Sequence, residues 1–498
     1  MRRLQPIDPA YCDGHSGPVA TDLLELSRSL EPLLGKAAPS ESFWAGPRVW
    51  WGGPLDVEGL ALGSVGAVAA ALGAHAAASA TTTSELVAAS FDSIRQLRLN
   101  GSAADIWAPM SGFHETGDGW LRLHANYPHH AARLLSALGL SRPEDLGPAL
   151  RSHTALEAEA AVRRAGGVAA AVRTPAEWAA SPMGQAAADE PWIAVALDDL
   201  EGPVRAGTAP SSNAPLAGVR VLDFTRVIAG PSATRLLAAL GADVLRVDPP
   251  QFPELLDAHL DTDFGKRSAV ADLGVPEQLA RVRSLARQAD VVLLGYRSAS
   301  LARFGLDAAS LRADFPHLAV VALNAWGWDG PWADGRGFDS LVQAACGIAQ
   351  LYGRRAGGSA QAGPAGDGAW RPGALPVQAL DHATGMGMAA AALALLAGRP
   401  RGIGGSARLS LIATANELLR AGPPRETESA ALRGELPVSV RTAQSPYGEL
   451  SFVPPPLRLD GRQLEYPHPP ARYGSSELEW QPDCRRRAPV RLFFPDHL

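Results

Sequence analysis

Asp381 opens a strongly Ala-rich run, and His382 follows it directly. A carboxylate at a helix N-terminus is stabilised as the anion, and an anion is what a nucleophilic role requires. The same placement suits a helix N-cap that accepts backbone hydrogen bonds, and the two uses are compatible. His382 invites an acid/base pairing with Asp381, but adjacent residues at a helix start point apart. Upstream, Thr225-Arg226-Val227-Ile228-Ala229-Gly230-Pro231 joins an expected strand to an expected helix. There, backbone N–H groups meet phosphate or carboxylate oxygens. The turn lacks GxGxxG and P-loop spacing, which argues against NAD and nucleotide hydrolysis. No GxSxG elbow or Ser/His/Asp order supports a hydrolase. Arg297, Arg303 and Arg336 fall in loops after expected strands, where a guanidinium can pair phosphate bidentately, with plain surface solvation as the alternative. Cys12, Cys346 and Cys484 are far apart and without metal-ligand spacing, so neither a disulfide framework nor a zinc site is expected. The reducing cytoplasm fits best.

The elements that must carry these residues follow a regular rhythm after residue 216. Val219–Phe224 reads as a strand, Pro231–Leu240 as a helix ended by Gly241, and Asp243–Asp248 as a strand. Helices over 276–288 and 307–313 alternate with strands over 290–294 and 318–323. That alternation argues for a parallel sheet with sites at the strand C-termini. Gly353–Gly368 reads as a surface loop. From about 421 the chain is Pro-rich, and its last fifteen residues read as a loosely held tail.

The first 200 residues have a different texture. Ala-rich and helical runs near 58–73 and 84–99 precede Asp118–Asn126, where a turn dipeptide leads into an alternating strand. Helical patterns return through 130–182, and Thr174-Pro175-Ala176-Glu177 has the form of a capping box. The Ala-rich runs near 61–80 and 386–397 look too short or too interrupted to span a bilayer. Leu55-Asp56 with its following helices faintly echoes Leu380-Asp381 with its own. At 498 residues and a formal charge of −6, the chain has room for two or three domains and no bulk field for nucleic acid or an anionic membrane. A Gly/Pro/Ser/Ala-rich linker is expected over 201–215. It divides a segment 1–200 from a main domain 216–420, followed by a closing segment and tail, 421–498.

Leu216–Pro231, continuing into Leu240-Gly241-Ala242-Asp243-Val244, resembles the opening of the family III CoA-transferases. Gly265-Lys266-Arg267-Ser268, Asp272-Leu273, Ala289-Asp290-Val291 and Leu301–Leu306 continue in the family's order. So do Gly327–Pro331, Gly337-Phe338-Asp339 with Gln343-Ala344 and Gly347, and Asp381 with Gly385. The resemblance spans about 200 residues.

It implies an α/β fold: a Rossmann-like parallel-sheet large domain with a smaller α+β domain, and a homodimer, often interlocked. It implies that Asp381 attacks a donor thioester, forming an aspartyl acyl anhydride and releasing CoA thiolate before exchange with an acceptor carboxylate. Coenzyme A enters as the acyl-CoA substrate, partnered by a small carboxylate, with no metal. For CoA binding the resemblance implicates Val227, Ile228 and Ala229 on the turn, Lys266 and Arg267 on a basic loop, and Tyr296, Arg303 and Arg336. Three residues depart from the pattern. Ile228 replaces a glutamine that assists the intermediate, Pro249 replaces a CoA-phosphate arginine, and Phe338 replaces a histidine of related acyl-CoA racemases. Ser445–Leu450 resembles the family's closing segment, while Asp118–Asn126 and Thr174–Trp178 resemble its small domain displaced to the front. A fused, trimmed duplication is therefore expected, in which the first segment is a degenerate copy that supplies the small domain. The alternatives to a CoA-transferase are an acyl-CoA isomerase or racemase and a catalytically silent acyl-CoA-binding homologue.

Overall fold

The computed structural model of the chain describes residues 24–35, 43–76, 78–201, 214–355, 370–424, 436–437 and 439–481. Cys12, Cys484, the tail, most of the expected linker and residues 356–368 of the expected Gly-rich loop lie outside them.

In the N-terminal segment, short helical turns over Leu26–Leu30 and Glu31–Leu34 precede a 20-residue apolar helix, α1 (Val57–Ala76). A small α+β unit follows: strands β1 (Gly112–Glu115), β2 (Trp120–Leu123) and β3 (Ala169–Ala171) form an antiparallel sheet in the order β1-β2-β3. Helices α2 (Pro128–Ala137) and α3 (Ala155–Arg164) cover it around a core that includes Leu121, Leu123, Leu134, Leu150 and Val162. The capping box at Thr174 and Glu177 forms as expected, each side chain accepting the other's backbone N–H.

The main domain is built on one seven-stranded sheet. Its strands are β4 (Ala194–Asp199), β5 (Arg220–Phe224), β6 (Asp243–Asp248), β7 (Arg267–Val270), β8 (Val291–Leu294), β9 (Ala319–Asn324) and β10 (Ile403–Ser410), in the order β7-β6-β5-β8-β9-β10-β4. Six are parallel and β4 alone runs antiparallel, against β10. The order reverses between β5 and β8, so a crevice opens beyond their C-terminal ends. Alternation along each strand divides its side chains between two cores. Val221, Val244, Leu293 and Val321 face one side, with helices α4 (Ala229–Ala239) and α8 (Ala379–Gly398). Leu222, Leu245, Val292 and Val320 face the other, with α5 (Pro276–Gln288) and α6 (Ala308–Asp314). Between β9 and α8 lies a short helix, α7 (Asp339–Ala345), and β10 leads into α9 (Leu411–Ala421).

Three expectations are corrected. Residues 194–199 do not belong with the N-terminal unit: they form β4, an edge strand of the main sheet. The run 84–99 is not one helix but Ser84–Phe91, a short turn Ser93–Gln96 and a strand Arg98–Leu99. The Ala-rich helices α1 and α8 are long and apolar enough to cross a membrane, yet both are packed inside the fold, because a helix apolar on every side must be covered all round. They lie against each other. Each is followed by a strand and then a helix whose first turn is capped by a hydroxyl, Thr83 after α1 and Ser410 after α8. The faint echo in sequence thus corresponds to repeated local structure.

The closing segment folds back on the N-terminal one. A hairpin of β11 (Arg441–Ser445) and β12 (Gly448–Phe452) pairs with Arg98–Leu99, and Arg458–Leu459 pairs with Ala80–Thr81.

At Gly385 in α8, a Cβ would sit 2.4 Å from the Ala229 carbonyl oxygen of α4. Gly385→Ala is expected to destabilise the fold by about 1–3 kcal/mol, despite a helix-propensity gain of about 1 kcal/mol. Urea titration checks the sign; a stabilised variant would mean the two helices have slack here.

Candidate active site

The turn Thr225–Ala229 leaves β5 and enters α4 at the point where the sheet order reverses. Asp223 fixes its start, accepting from the Thr225 N–H at 2.9 Å and from the hydroxyls of Thr225 and Thr234. Val227 adopts φ +71°, a strained conformation for a β-branched residue. It is held there because its N–H donates to Glu254 at 2.8 Å. Burial opposes the charge on Glu254, but the guanidiniums of Arg246 and Arg226 hold its pKa down to about 2. Arg246, fully buried, also pairs with Asp248 and Asp263.

Asp381 is the third residue of α8, not its N-cap, which is Gln378. Its N–H donates to Oδ2 of Asp339 at 3.0 Å, and Asp339 begins α7. Because residues four apart share a helix face, Asp381 lies on the side of α8 where Gly385 meets Ala229. The residue is 6% exposed, and its carboxyl makes no hydrogen bond among the described residues. Burial, and then the like charge of Asp339, raise its pKa well above the ordinary carboxyl value. Asp339 is raised to about 6 by burial, against the opposing bonds from the Asp381 N–H and from Gln343. The two carboxyls therefore titrate as a pair that retains a proton at neutral pH. His382 turns away, as expected: its Nδ1 is 3.4 Å from the Ser232 hydroxyl and burial pushes it down to about 3.

A cavity of about 450 Å³ opens beside this pair. It is lined by Asp339, Gln343, Val377 and Gln378 from the main domain and by Arg95, Trp107, Phe113 and Arg122 from the N-terminal segment. Asp339, not Asp381, is the carboxylate on its wall. Asp339 lies within Gly337-Phe338-Asp339, a motif that by itself gives it no role; a carboxylate opening a second short helix is the available signal.

The residues expected to bind CoA divide into two sets. Val227, Ile228 and Ala229 sit together at the entry to α4, beside α8. Arg303 is exposed, its guanidinium 4.4 Å from the centre of the Phe304 ring. Arg336 is half-buried, with its pKa lowered to about 10 by burial and by nearby Arg297 and Arg133. Arg133 and Arg336 both donate to the Gly166 carbonyl, each at 3.2 Å. Arg133, which the sequence did not single out, thus joins Arg297 and Arg336 in a cluster with no carboxylate partner among the described residues.

Three expectations are corrected. Lys266 is not on a basic loop: it is buried, 3.3 Å from Asp223 and 3.5 Å from Asp263. Arg267 lies on β7 and is taken up by Asp243 at 2.8 Å. The Tyr296 hydroxyl donates to Asp248 at 2.8 Å, so its polar group is committed within the protein. Asp56, the counterpart of Asp381 before α1, is neutralised by an ion pair with Arg48. Phe338 stacks face to face on His124, with ring centres 3.6 Å apart.

The site is thus a carboxyl pair at two helix starts, beside the topological switch point of an α/β sheet. Residues 216–434 match the model of CoA-transferase family III. The chain is 39% identical over 174 residues to a succinate–glutarate CoA-transferase of Agrobacterium fabrum, covering 31% of this chain and 44% of that one. It is 34% identical over 207 residues to a probable fatty acyl-CoA transferase of Mycobacterium tuberculosis, covering 39% and 49%. A crystal structure of Rv3272 from M. tuberculosis aligns with a TM-score of 0.37 at 32% identity, covering 42% of this chain and 57% of that one. The chain thus spans less than half the length of these curated relatives.

Asp381 is charged in an unfolded chain at neutral pH but held protonated when folded, so its contribution to stability falls as pH rises above the ordinary carboxyl range. Asp381→Asn cannot ionise and is expected to be the more stable protein, by a margin that widens between pH 5 and pH 8. Thermal melts across that range check this; a margin that shrinks with pH would mean the ionised carboxylate is compensated.

Proposed function

We propose that the chain is a CoA-transferase that moves CoA from an acyl-CoA donor to a carboxylate acceptor through an anhydride on Asp381. The observation that carries this is the Asp381 carboxyl itself. It is free of hydrogen bonds, set at the start of α8 on the face toward the Val227–Ala229 turn, and paired with Asp339. A buried carboxyl without a partner is a cost to the fold that a purely structural role does not repay.

In the reactive form the pair's proton rests on Asp339 and Asp381 is the anion. An Asp381 oxygen bonds to the thioester carbonyl carbon, the C–S bond breaks, and CoA leaves as thiolate. The acceptor carboxylate exchanges for the donor acid on the activated acyl link, and thiolate attack on the acceptor acyl carbon regenerates a thioester and frees Asp381. Each activated acyl bond replaces another, so no outside energy source enters. Ile228 offers no hydrogen bond to the developing oxyanion. Gln378, whose amide makes no hydrogen bond among the described residues, lines the cavity and is the donor this chain has for that charge. The cluster of Arg133, Arg297 and Arg336, with exposed Arg303, takes the CoA phosphates. A cavity of about 450 Å³ suits the acyl group rather than the nucleotide.

The duplication belongs to the same reading. It is supported by the N-terminal unit's contribution of cavity walls and by the pairing of α1 with α8. Homodimeric assembly and a cytoplasmic location are part of the proposal as well, the second supported by the scattered, odd set of cysteines. A second reading, an acyl-CoA-binding homologue without turnover, is favoured by the burial of Asp381, which with Asp339 raises its pKa and so opposes the nucleophilic anion.

Intact mass measured after incubation with a panel of acyl-CoAs separates the two. An acyl or CoA adduct is expected on the native chain and absent from Asp381→Asn, with turnover lower by at least about 10³-fold; tight acyl-CoA binding with no adduct would favour the silent homologue. The rate should climb as pH rises through the pair's titration, because attack needs the pair to hold a single proton or none. Asp339→Asn removes the like charge and should move that limb to lower pH; a limb that stays in place would detach Asp339 from the chemistry.

A further inference from the structure

Four arginines are buried among the described residues: Arg122, Arg173, Arg235 and Arg246. Three meet carboxylates directly, Arg173 with Glu159, Arg235 with Asp261 at 3.1 Å, and Arg246 with three acids. That is the rule for a charge taken out of water. Arg122 breaks it. It is 8% exposed, makes no hydrogen bond or ion pair among the described residues, and its Nε is enclosed without a partner.

Its surroundings are built rather than accidental. Arg122 on β2 is the cross-strand partner of Phe113 on β1. The guanidinium lies 5.0 Å from the centre of the Phe113 ring and 4.7 Å from that of Trp107. Two rings fix the plane of the fork and favour the cation, but they supply no anion. Arg122 and both rings line the same cavity as Asp339, which lies beyond ion-pair distance from the guanidinium. The cavity therefore has the Asp339 carboxyl at one wall with Asp381 just behind it, a fixed guanidinium at another, and apolar rings beside it. A short methylene chain with a carboxylate at its far end matches that arrangement.

We propose that Arg122 anchors a second, non-reacting carboxylate, so that the acyl group handled at this site is dicarboxylic. This rests on the transferase reading for the chemistry, though not for the binding. The anchor comes from the N-terminal segment, so substrate choice and acyl transfer reside on opposite sides of one cavity. Arg122 keeps its charge at neutral pH, since burial lowers its pKa only to about 10.

The test uses the full chain with glutarate and butyrate as probes, by calorimetry and thermal shift. Glutarate should bind the native protein more tightly than butyrate, and Arg122→Met should weaken glutarate at least about 10-fold. Without ligand, Arg122→Met should melt higher than the native chain, because an unpaired buried charge has been removed; a purely structural arginine would give the opposite. Arg122→Lys keeps the charge without the fork, should retain partial glutarate binding, and serves if the Met variant does not fold. In turnover, the preference for glutaryl-CoA over butyryl-CoA should fall on the order of 100-fold in Arg122→Met. Equal glutarate binding by native and variant chains, or no preference of the native chain for glutarate over butyrate, overturns the anchor. Binding that follows Arg122 while neither thioester reacts leaves the anchor standing and removes the transferase reading. Turnover without any diacid preference does the reverse.

Discussion

Everything at the candidate site depends on how closely α8 can approach α4. The backbone of α8 meets the Ala229 carbonyl at Gly385, where no side chain fits. That contact sets Asp381, one turn earlier, against the turn that leaves β5. The long Ala-rich stretches of α1 and α8 serve the same end, since small side chains let two helices covered on every side pack without a polar stripe. A larger residue at the crossing would separate the carboxyl from the turn before it altered any charge.

Around that contact the protein arranges charge unevenly. Arg246, Asp248, Glu254 and Asp263 satisfy one another beneath the turn, and Glu254 holds Val227 in its strained conformation. This network is neutralised and serves as scaffold. A short distance away, Asp339 and Asp381 repel each other, and Arg122 feels Asp339 across the cavity but has no carboxylate within ion-pair distance. Stabilising and destabilising electrostatics are thus separated, with the uncompensated groups gathered at the cavity.

Much of the main domain is legible in the sequence, for a physical reason. Its central strands are buried on both faces and read as continuous apolar runs, and helices of ordinary length alternate with them. Strand β10 escapes because it opens Ile403-Gly404-Gly405, where glycines leave no side chains to show a period. Strand β4 escapes because an exposed edge ending in Asp198-Asp199 looks like the entry to a linker. The motif residues on the turn and at Asp381 are legible as a local pattern, but the fate of a basic side chain is not. Lys266 and Arg267 look like ligand contacts until the sheet brings Asp223, Asp243 and Asp263 to them. Arg122 reads as the polar side of an alternating strand, and only the packing of the N-terminal unit on α7 turns that side inward.

The return of the closing segment has a consequence for how the chain is made. Leu450 pairs with Leu99 and Arg458 with Thr81, so strands about 350 residues apart complete each other's hydrogen bonding. The early part of the molecule emerges from the ribosome long before its partners exist. Contacts of such separation form late and slowly. Newly synthesised chains would spend that interval with unpaired strand edges on the N-terminal portion, the phase in which chaperone binding or self-association competes with folding.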